Sequence, residues 1–182
     1  GYRGMGPVRI GNQAHEHFQH DTYGHVILGA APAFFDRRLF MEARGAAFEM
    51  LEPLGDRAWA LHDQPDAGIW EYRTRARVHT SSALMCWAAC DRLAKIAAHL
   101  GRGARATLWR ERADAIRGKI LAHAWSEKRG AFVESFGGET LDASVLLMGE
   151  IGFLPGDDPR FAATVDALSR TLGRGPFMLR YE

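Results

Sequence analysis

The stretch SALMCWAACDRLAKIAAHL, residues 82–100, decides the fold. Nearly every position in it is apolar or small, and the exceptions Asp91, Arg92, Lys95 and His99 fall on one narrow stripe. That spacing fits a helix of 3.6 residues per turn that is buried on most of its sides. Thr80 or Ser81 opens this helix, and Gly101 stops it. The next segment, Arg105–Trp125, has another character. Its apolar residues are confined to one line, Trp109, Ala113, Ile116, Ile120 and Ala124, and charged side chains dominate the rest. Such a helix keeps one face in water. A buried helix followed by a one-sided helix implies two concentric layers of helices.

The remaining pattern agrees. Asn12 is placed to cap a helix running to about Ala31, with Pro32 ending it. A second helical segment runs from about Phe34 to Glu52, where Pro53 breaks it or restarts it as a short helix through Asp63. Asp142 caps a shorter helix through Glu150. Asp158 caps the last, with Pro159 at its first position, Phe161, Val165, Leu168 and Leu172 along one face, and Gly173 after its end. Strand signals are sparse and confined to Ala131–Ser135. The expected class is all-α. Connections at Pro32, at Gly101 and over 151–157 are short, whereas those over 1–11, 64–79, 126–141 and 173–182 are long. If successive helices run antiparallel, the long loops gather at one end, as on the rim of an α/α toroid, where function concentrates.

Composition excludes several classes of function. A chain of 182 residues with 47% hydrophobic content builds one domain with a sizeable core. A formal net charge of +1, with acids and bases mixed throughout, leaves no footprint for nucleic acid or an anionic membrane. The longest uncharged apolar run, residues 26–35, is too short to span a bilayer. No signal peptide is visible, so a cytoplasmic location is expected. Cys86 and Cys90 lie one helical turn apart, a poor geometry for a disulfide, and read as buried small hydrophobes. The chain starts at Gly1 inside a glycine-rich loop and stops at Glu182 without a terminal helix. It is therefore expected to be one partial domain, 1–182, truncated at both ends and belonging to a longer chain.

The chemistry is concentrated in DQPDAGIWEY, residues 63–72. An indole packs well on the apolar face of a pyranose. A carboxyl held against such a surface tends to stay protonated, which suits a general acid for glycosidic cleavage. On the motif alone, the favoured reading is Trp70 as a loop anchor and Glu71 as a solvated charge. The histidines His15, His17, His20 and His25, with Glu16 and Asp21, lack the zinc-protease spacing and read as polar residues lining a helix; no metal or cofactor is expected. Glu134 and Ser135 read as a loop brace ahead of a substrate contact. Asp142 with Ser144 is most simply a helix cap. His79 either orients the Glu71 loop or only opens the helix.

Several blocks together carry a resemblance. Gly1–Ala14 (GYRGMGPVRIGNQA) resembles the opening loop motif of the bacterial branch of glycoside hydrolase family 15, which holds glucoamylases, glucodextranases and some trehalases. Asp66–Arg73, His79–Arg92 with its Ser81-Ser82 pair, Leu141–Ser144 and the closing Leu179–Glu182 are similar to that family in its own order. The resemblance implies an (α/α)6 barrel, of which this chain is roughly the middle half, and inverting hydrolysis of α-glucosides. By the same resemblance Glu71 is the general acid, Trp70 the aromatic wall beside it, Arg180 an arginine bonding sugar hydroxyls, and Arg9 part of a substrate-contacting loop. Tyr72 stands where fungal members have a second glutamate. The general base that inversion needs lies beyond Glu182, so these residues alone would be inactive and would expose an apolar seam. The substrate implied is an α-glucan, an oligosaccharide or trehalose, with glucose released from non-reducing ends. A trehalase of the same fold is the alternative. A non-catalytic carbohydrate-binding or scaffold domain follows if the chain really ends at 182.

Overall fold

The computed structural model describes residues 2–4, 11, 13–36, 38–39 and 44–182. Seven α-helices, three 3-10 turns (Tyr2–Gly4, Gln13–Glu16 and Ala143–Leu146) and two short hairpins account for the regular structure of these residues. The helices are α1 (Asp21–Ala30), α2 (Pro32–Phe35), α3 (Arg44–Leu61), α4 (Thr80–His99), α5 (Gly103–His123), α6 (Leu147–Glu150) and α7 (Pro159–Leu172). Strands β1 (Trp125–Ser126) and β2 (Ala131–Phe132) pair antiparallel, as do β3 (Gly173–Arg174) and β4 (Phe177–Met178). Among the described residues no helix is long and apolar enough to cross a membrane.

Helix α4 is the centre, packed against α1, α3 and α5. Its residues from Thr80 to Asp91 are all buried, as the unbroken small and apolar run requires. The polar stripe is only partly a solvent face. Asp91 is buried, and its carboxylate pairs with Arg92, with Lys95 at 2.8 Å and with Arg110 of α5 at 2.9 Å. Burial works to raise this carboxyl's pKa, but Lys95 and Arg110 hold it below its ordinary value. On α5 the predicted line Trp109, Ala113, Ile116 and Ile120 is the buried face. Cys86 and Cys90 are free and buried, and burial pushes the Cys90 thiol up to about 12.

Two glycines set how closely the helices approach. A Cβ on Gly24 of α1 would sit 2.2 Å from the Met85 carbonyl oxygen of α4. One on Gly55 of α3 would sit 2.2 Å from Leu93 Cδ1 and 2.7 Å from the Trp109 ring. The two contacts are close-packed backbone-to-helix approaches that admit no extra methyl.

Four expectations need correction. The helix expected from Asn12 starts only at Asp21, after a 3-10 turn over Gln13–Glu16; Asn12 itself lies outside the described residues. The reason is tertiary. The carbonyl of Phe18 accepts from the Ala67 amide at 2.9 Å, and the amide of His20 donates to Asp66 Oδ2 at 2.9 Å, so these backbone groups are engaged elsewhere. Pro32 does not merely end α1. It occupies the first turn of α2, where a missing N–H costs nothing. Pro53 does not interrupt α3, which runs through it. Pro53 and Glu49, whose carbonyl loses its partner, are both exposed, on the side of the helix that solvent can reach. Finally, α5 ends at His123, and Trp125 begins β1.

Glycine substitutions separate these packing effects from helix propensity. Gly24→Ala is expected to destabilise the protein by about 3 kcal/mol through the clash with Met85. Gly118→Ala, at an exposed position of α5 with nothing within 4 Å, is expected to stabilise it by about 0.5–1 kcal/mol. Urea denaturation of both variants checks the opposite signs.

Candidate active site

Three of the four long loops meet, and most of the fourth, over 1–11, lies outside the described residues. Isolated bridges join Asp66 to Arg77, His79 to Ser135 and Asp142 to Tyr181, so segments 64–79, 126–142 and 179–182 form one surface. Within it, Asp66 is 1% exposed and anchors the first loop from both ends. Its backbone pairs with that of Arg77, at 2.9 and 3.2 Å. Its Oδ2 accepts from the His20 amide at 2.9 Å and from the Ser82 hydroxyl at 2.7 Å.

Between those anchors the chain makes a tight turn. The Glu71 amide donates to the Gly68 carbonyl at 3.1 Å, and the Tyr72 amide to the Ala67 carbonyl at 2.9 Å. Gly68 has φ +67°, and a Cβ there would lie 2.8 Å from His79 Cδ2, so the imidazole packs directly beneath the turn. Glu71 has φ +55°, a left-handed conformation that costs a non-glycine residue about 1–2 kcal/mol. Such strain persists only where neighbours over-determine the backbone, and here they do.

On one side of Glu71, the Trp70 indole N–H donates to Asp142 Oδ2 at 2.8 Å. On the other, the Tyr72 ring stacks on His79 with centroids 5.4 Å apart and meets Tyr181 edge-on at 5.3 Å. The Arg75 guanidinium lies 3.8 Å from the Tyr72 ring centre. Burial, reinforced by the nearby Glu134 and Asp142 carboxylates, raises the Tyr72 hydroxyl well above its ordinary pKa. The Glu71 carboxylate is exposed and makes no hydrogen bond or ion pair among the described residues. The desolvated setting expected for this carboxyl against the indole is thus not formed by the described residues alone.

The far end of the chain joins this rim. The Ala143 amide donates to the Arg180 carbonyl at 2.8 Å, and this bond carries the Arg180 guanidinium to 5.2 Å from the Trp70 ring centre. Arg180 therefore lies beside Trp70, the chain neighbour of Glu71. Arg9, the fourth sequence-predicted site residue, falls outside the described residues. Trp70 is tethered as a loop anchor and is also the platform on which Arg180 rests.

Glu134 is a brace. It is buried, pairs with Arg75 at 2.7 Å and Arg77 at 3.5 Å, and its carbonyl accepts from the Thr80 amide at 2.7 Å. His79 stands at the N-cap position of α4 without a side-chain cap bond, and its ring packs beneath the Gly68 turn. Its burial lowers its pKa, against the opposing pull of Asp66 and Glu134. Asp142 does cap its 3-10 helix, accepting from the Ser144 amide at 2.7 Å, but its link to Trp70 was missed in the sequence. Tyr181 and Arg75 were missed as well. Their only signals were membership of the closing block and position near the acid. Among the described residues, no three His, Cys, Asp or Glu side chains converge as a metal site.

Comparison with known proteins follows the same lines. A model of the family described as glycosyl hydrolases family 15 matches residues 1–179. A trehalase of Mycobacterium tuberculosis is 40% identical over 100% of this chain, an alignment covering 26% of that protein. A trehalase of Thermoplasma volcanium is 30% identical over 94% of this chain and 27% of its own length. The chain thus spans about a quarter of the length of these curated relatives. Among solved structures, a wild-type glycosidase superposes with a TM-score of 0.73 at 22% identity, over 91% of this chain and 43% of its own. A bacterial glucoamylase complexed with acarbose gives 0.67 at 17% identity, over 86% of this chain and 26% of its own. These likenesses show the fold, and the helices described above are part of an (α/α)6 barrel.

The buried His79 makes the rim acid-sensitive. Its folded pKa lies below the ordinary 6.5, so the unfolded chain binds a proton that the folded chain refuses as pH drops. Its contribution is complete above the ordinary value and is lost as pH falls towards the folded one. His79→Gln is expected to flatten the fall in unfolding free energy as pH drops below the ordinary histidine value, relative to wild type, as measured by urea titrations at several pH values.

Proposed function

The chain belongs to glycosyl hydrolases family 15, and from that premise we propose that its Trp70–Glu71 rim is one half of an active site cleaving α-glucosidic bonds with inversion. Residues 1–182 are, on this reading, part of a longer catalytic domain. Glu71 is the general acid that protonates the leaving glycosidic oxygen. Trp70 walls the sugar ring, and Arg180 donates to its hydroxyls, with Arg9 contributing from the opening loop. The observation that carries the reading is the approach of Arg180, from the far end of the chain, to Trp70, whose neighbour Glu71 sits in a left-handed conformation on a loop held from both sides. An exposed carboxylate in a left-handed conformation is a feature that stability alone does not select.

Inversion requires a second carboxylate, roughly 6.5–9.5 Å from the first, to take a proton from the attacking water. The carboxylates packed around this loop are committed elsewhere. Asp66 holds His20 and Ser82, Glu134 holds Arg75, Asp142 holds Trp70 and Ser144, and Glu182 holds Arg129 at 2.7 Å. On this reading the base comes from residues outside 1–182, as the family resemblance implies. Water forms the new bond to the anomeric carbon on one face as the bond to the leaving oxygen breaks on the other. The base takes the water proton, and Glu71 gives its own to the leaving group.

Trehalose is the substrate to test first, because relatives at 40% and 30% identity are named trehalases. An α-glucan cleaved from its non-reducing end is the second reading, supported by the motif resemblance.

In the complete protein carrying this chain, Glu71→Gln is expected to lower kcat by roughly a hundred- to ten-thousand-fold while sugar binding, read by calorimetry, persists. Retained turnover would remove Glu71 from the role of acid. With trehalose, proton NMR at early times should show α- and β-glucose released in equal amounts, since only the attacked carbon inverts. Release of α-glucose alone would exclude inversion.

A further inference from the structure

Asp142 is 1% exposed, and each of its two carboxylate oxygens has its own task. Oδ1 accepts the Ser144 amide at 2.7 Å and caps the 3-10 helix over Ala143–Leu146. Oδ2 accepts the indole N–H of Trp70 at 2.8 Å, across a long stretch of sequence. An indole has one donor and no acceptor, so this bond fixes both its depth and the direction of its edge. The same short segment also holds the third site residue. The Ala143 amide carries the Arg180 carbonyl, and Asp142 itself bridges Tyr181, whose ring touches Tyr72 on the far side of Glu71.

Glu71 is thus flanked by two residues, Trp70 and Tyr72, that both refer back to the Asp142 segment. Its own carboxylate has no partner among the described residues that could fix it. We infer that Asp142 is a positioning residue of the active site, which sets the placement of the Glu71 carboxyl and the sugar wall through its bond to the Trp70 indole. This rests on the functional reading above but adds to it a residue that never needs to touch substrate. A helix cap alone needs one oxygen; the second is spent on the tryptophan.

Serine and phenylalanine variants separate the two tasks. Asp142→Ser in the complete protein keeps a good cap residue but is too short to reach the indole. Trp70→Phe keeps the Asp142 cap and an aromatic wall but removes the N–H. Each is expected to lower kcat on trehalose or a maltooligosaccharide, whichever the wild-type protein hydrolyses, by roughly ten- to a hundred-fold, as a misplaced catalytic group does. KM should change less, by about threefold at most, because the acid acts in the transition state. The double variant should be no slower than the slower single one, within about twofold, because both remove one interaction. Asp158→Ala, which removes a cap of the same kind from α7, controls for lost stability and should leave kcat unchanged.

Wild-type kcat in Asp142→Ser, or single effects that multiply in the double variant, would overturn the proposal. If Asp142→Ser fails to fold, Trp70→Phe decides alone, and undiminished kcat there overturns it. Glu71→Gln assayed alongside keeps the two readings apart: turnover without the Glu71 carboxyl defeats the acid assignment, whereas lost turnover with uncoupled Asp142 and Trp70 defeats only this one.

Discussion

A buried carboxylate, that of Asp66, receives the backbone N–H of His20 just before α1 and the hydroxyl of Ser82 in the first turn of α4, while its own backbone closes the loop against Arg77. Three parts of the molecule are referred to one side chain: the start of the first long helix, the start of the central one, and the loop bearing Trp70 and Glu71. Leaving such a group unpaired in the interior would cost several kcal/mol. The loop therefore cannot drift from the helices without exposing a desolvation penalty. That constraint is what allows a left-handed residue such as Glu71 to persist at the rim.

Around this anchor the molecule divides its labour. Helix α4 is buried on nearly all sides and supplies rigidity through apolar contact and two close glycine approaches, which are non-directional forces. The rim is organised by directional ones: an indole to a carboxylate, a ring stacked on an imidazole, a guanidinium over an aromatic face. The first kind of force holds the scaffold and tolerates a range of side chains. The second kind fixes orientation at the scale of a chemical step, and it uses residues from loops that approach each other only because the scaffold brings them together.

Much of this was legible beforehand, and the failures share a cause. The buried and one-sided characters of α4 and α5 follow from hydrophobic periodicity, which places α4 and misplaces only the end of α5. Caps at Asp142 and Asp158 were readable because a cap is a local event, decided by residues two apart. The late start of α1 was not readable, since residues 18–20 are taken from the helix by bonds to residues 66–68. Pro53 misled for a related reason: its cost depends on whether the freed carbonyl faces water, which the chain's pattern does not reveal. At the site, Trp70, Glu71 and Arg180 were legible as residue types in family-like blocks. The double role of Asp142 was hidden behind a sufficient local explanation.

By itself, the sequence determined the helical class, the central and peripheral helices, the clustering of long loops and the family to which the chain belongs. These depend on the period of apolar residues, on turn chemistry and on short blocks in order, all of which are properties of neighbours along the chain. Only the tertiary structure decided where α1 begins, which way the Trp70 edge faces, and that Arg180 rests against it. Those outcomes turn on hydrogen bonds between groups far apart in sequence, whose partners are chosen by three-dimensional proximity and by the cost of leaving a buried polar atom unpaired.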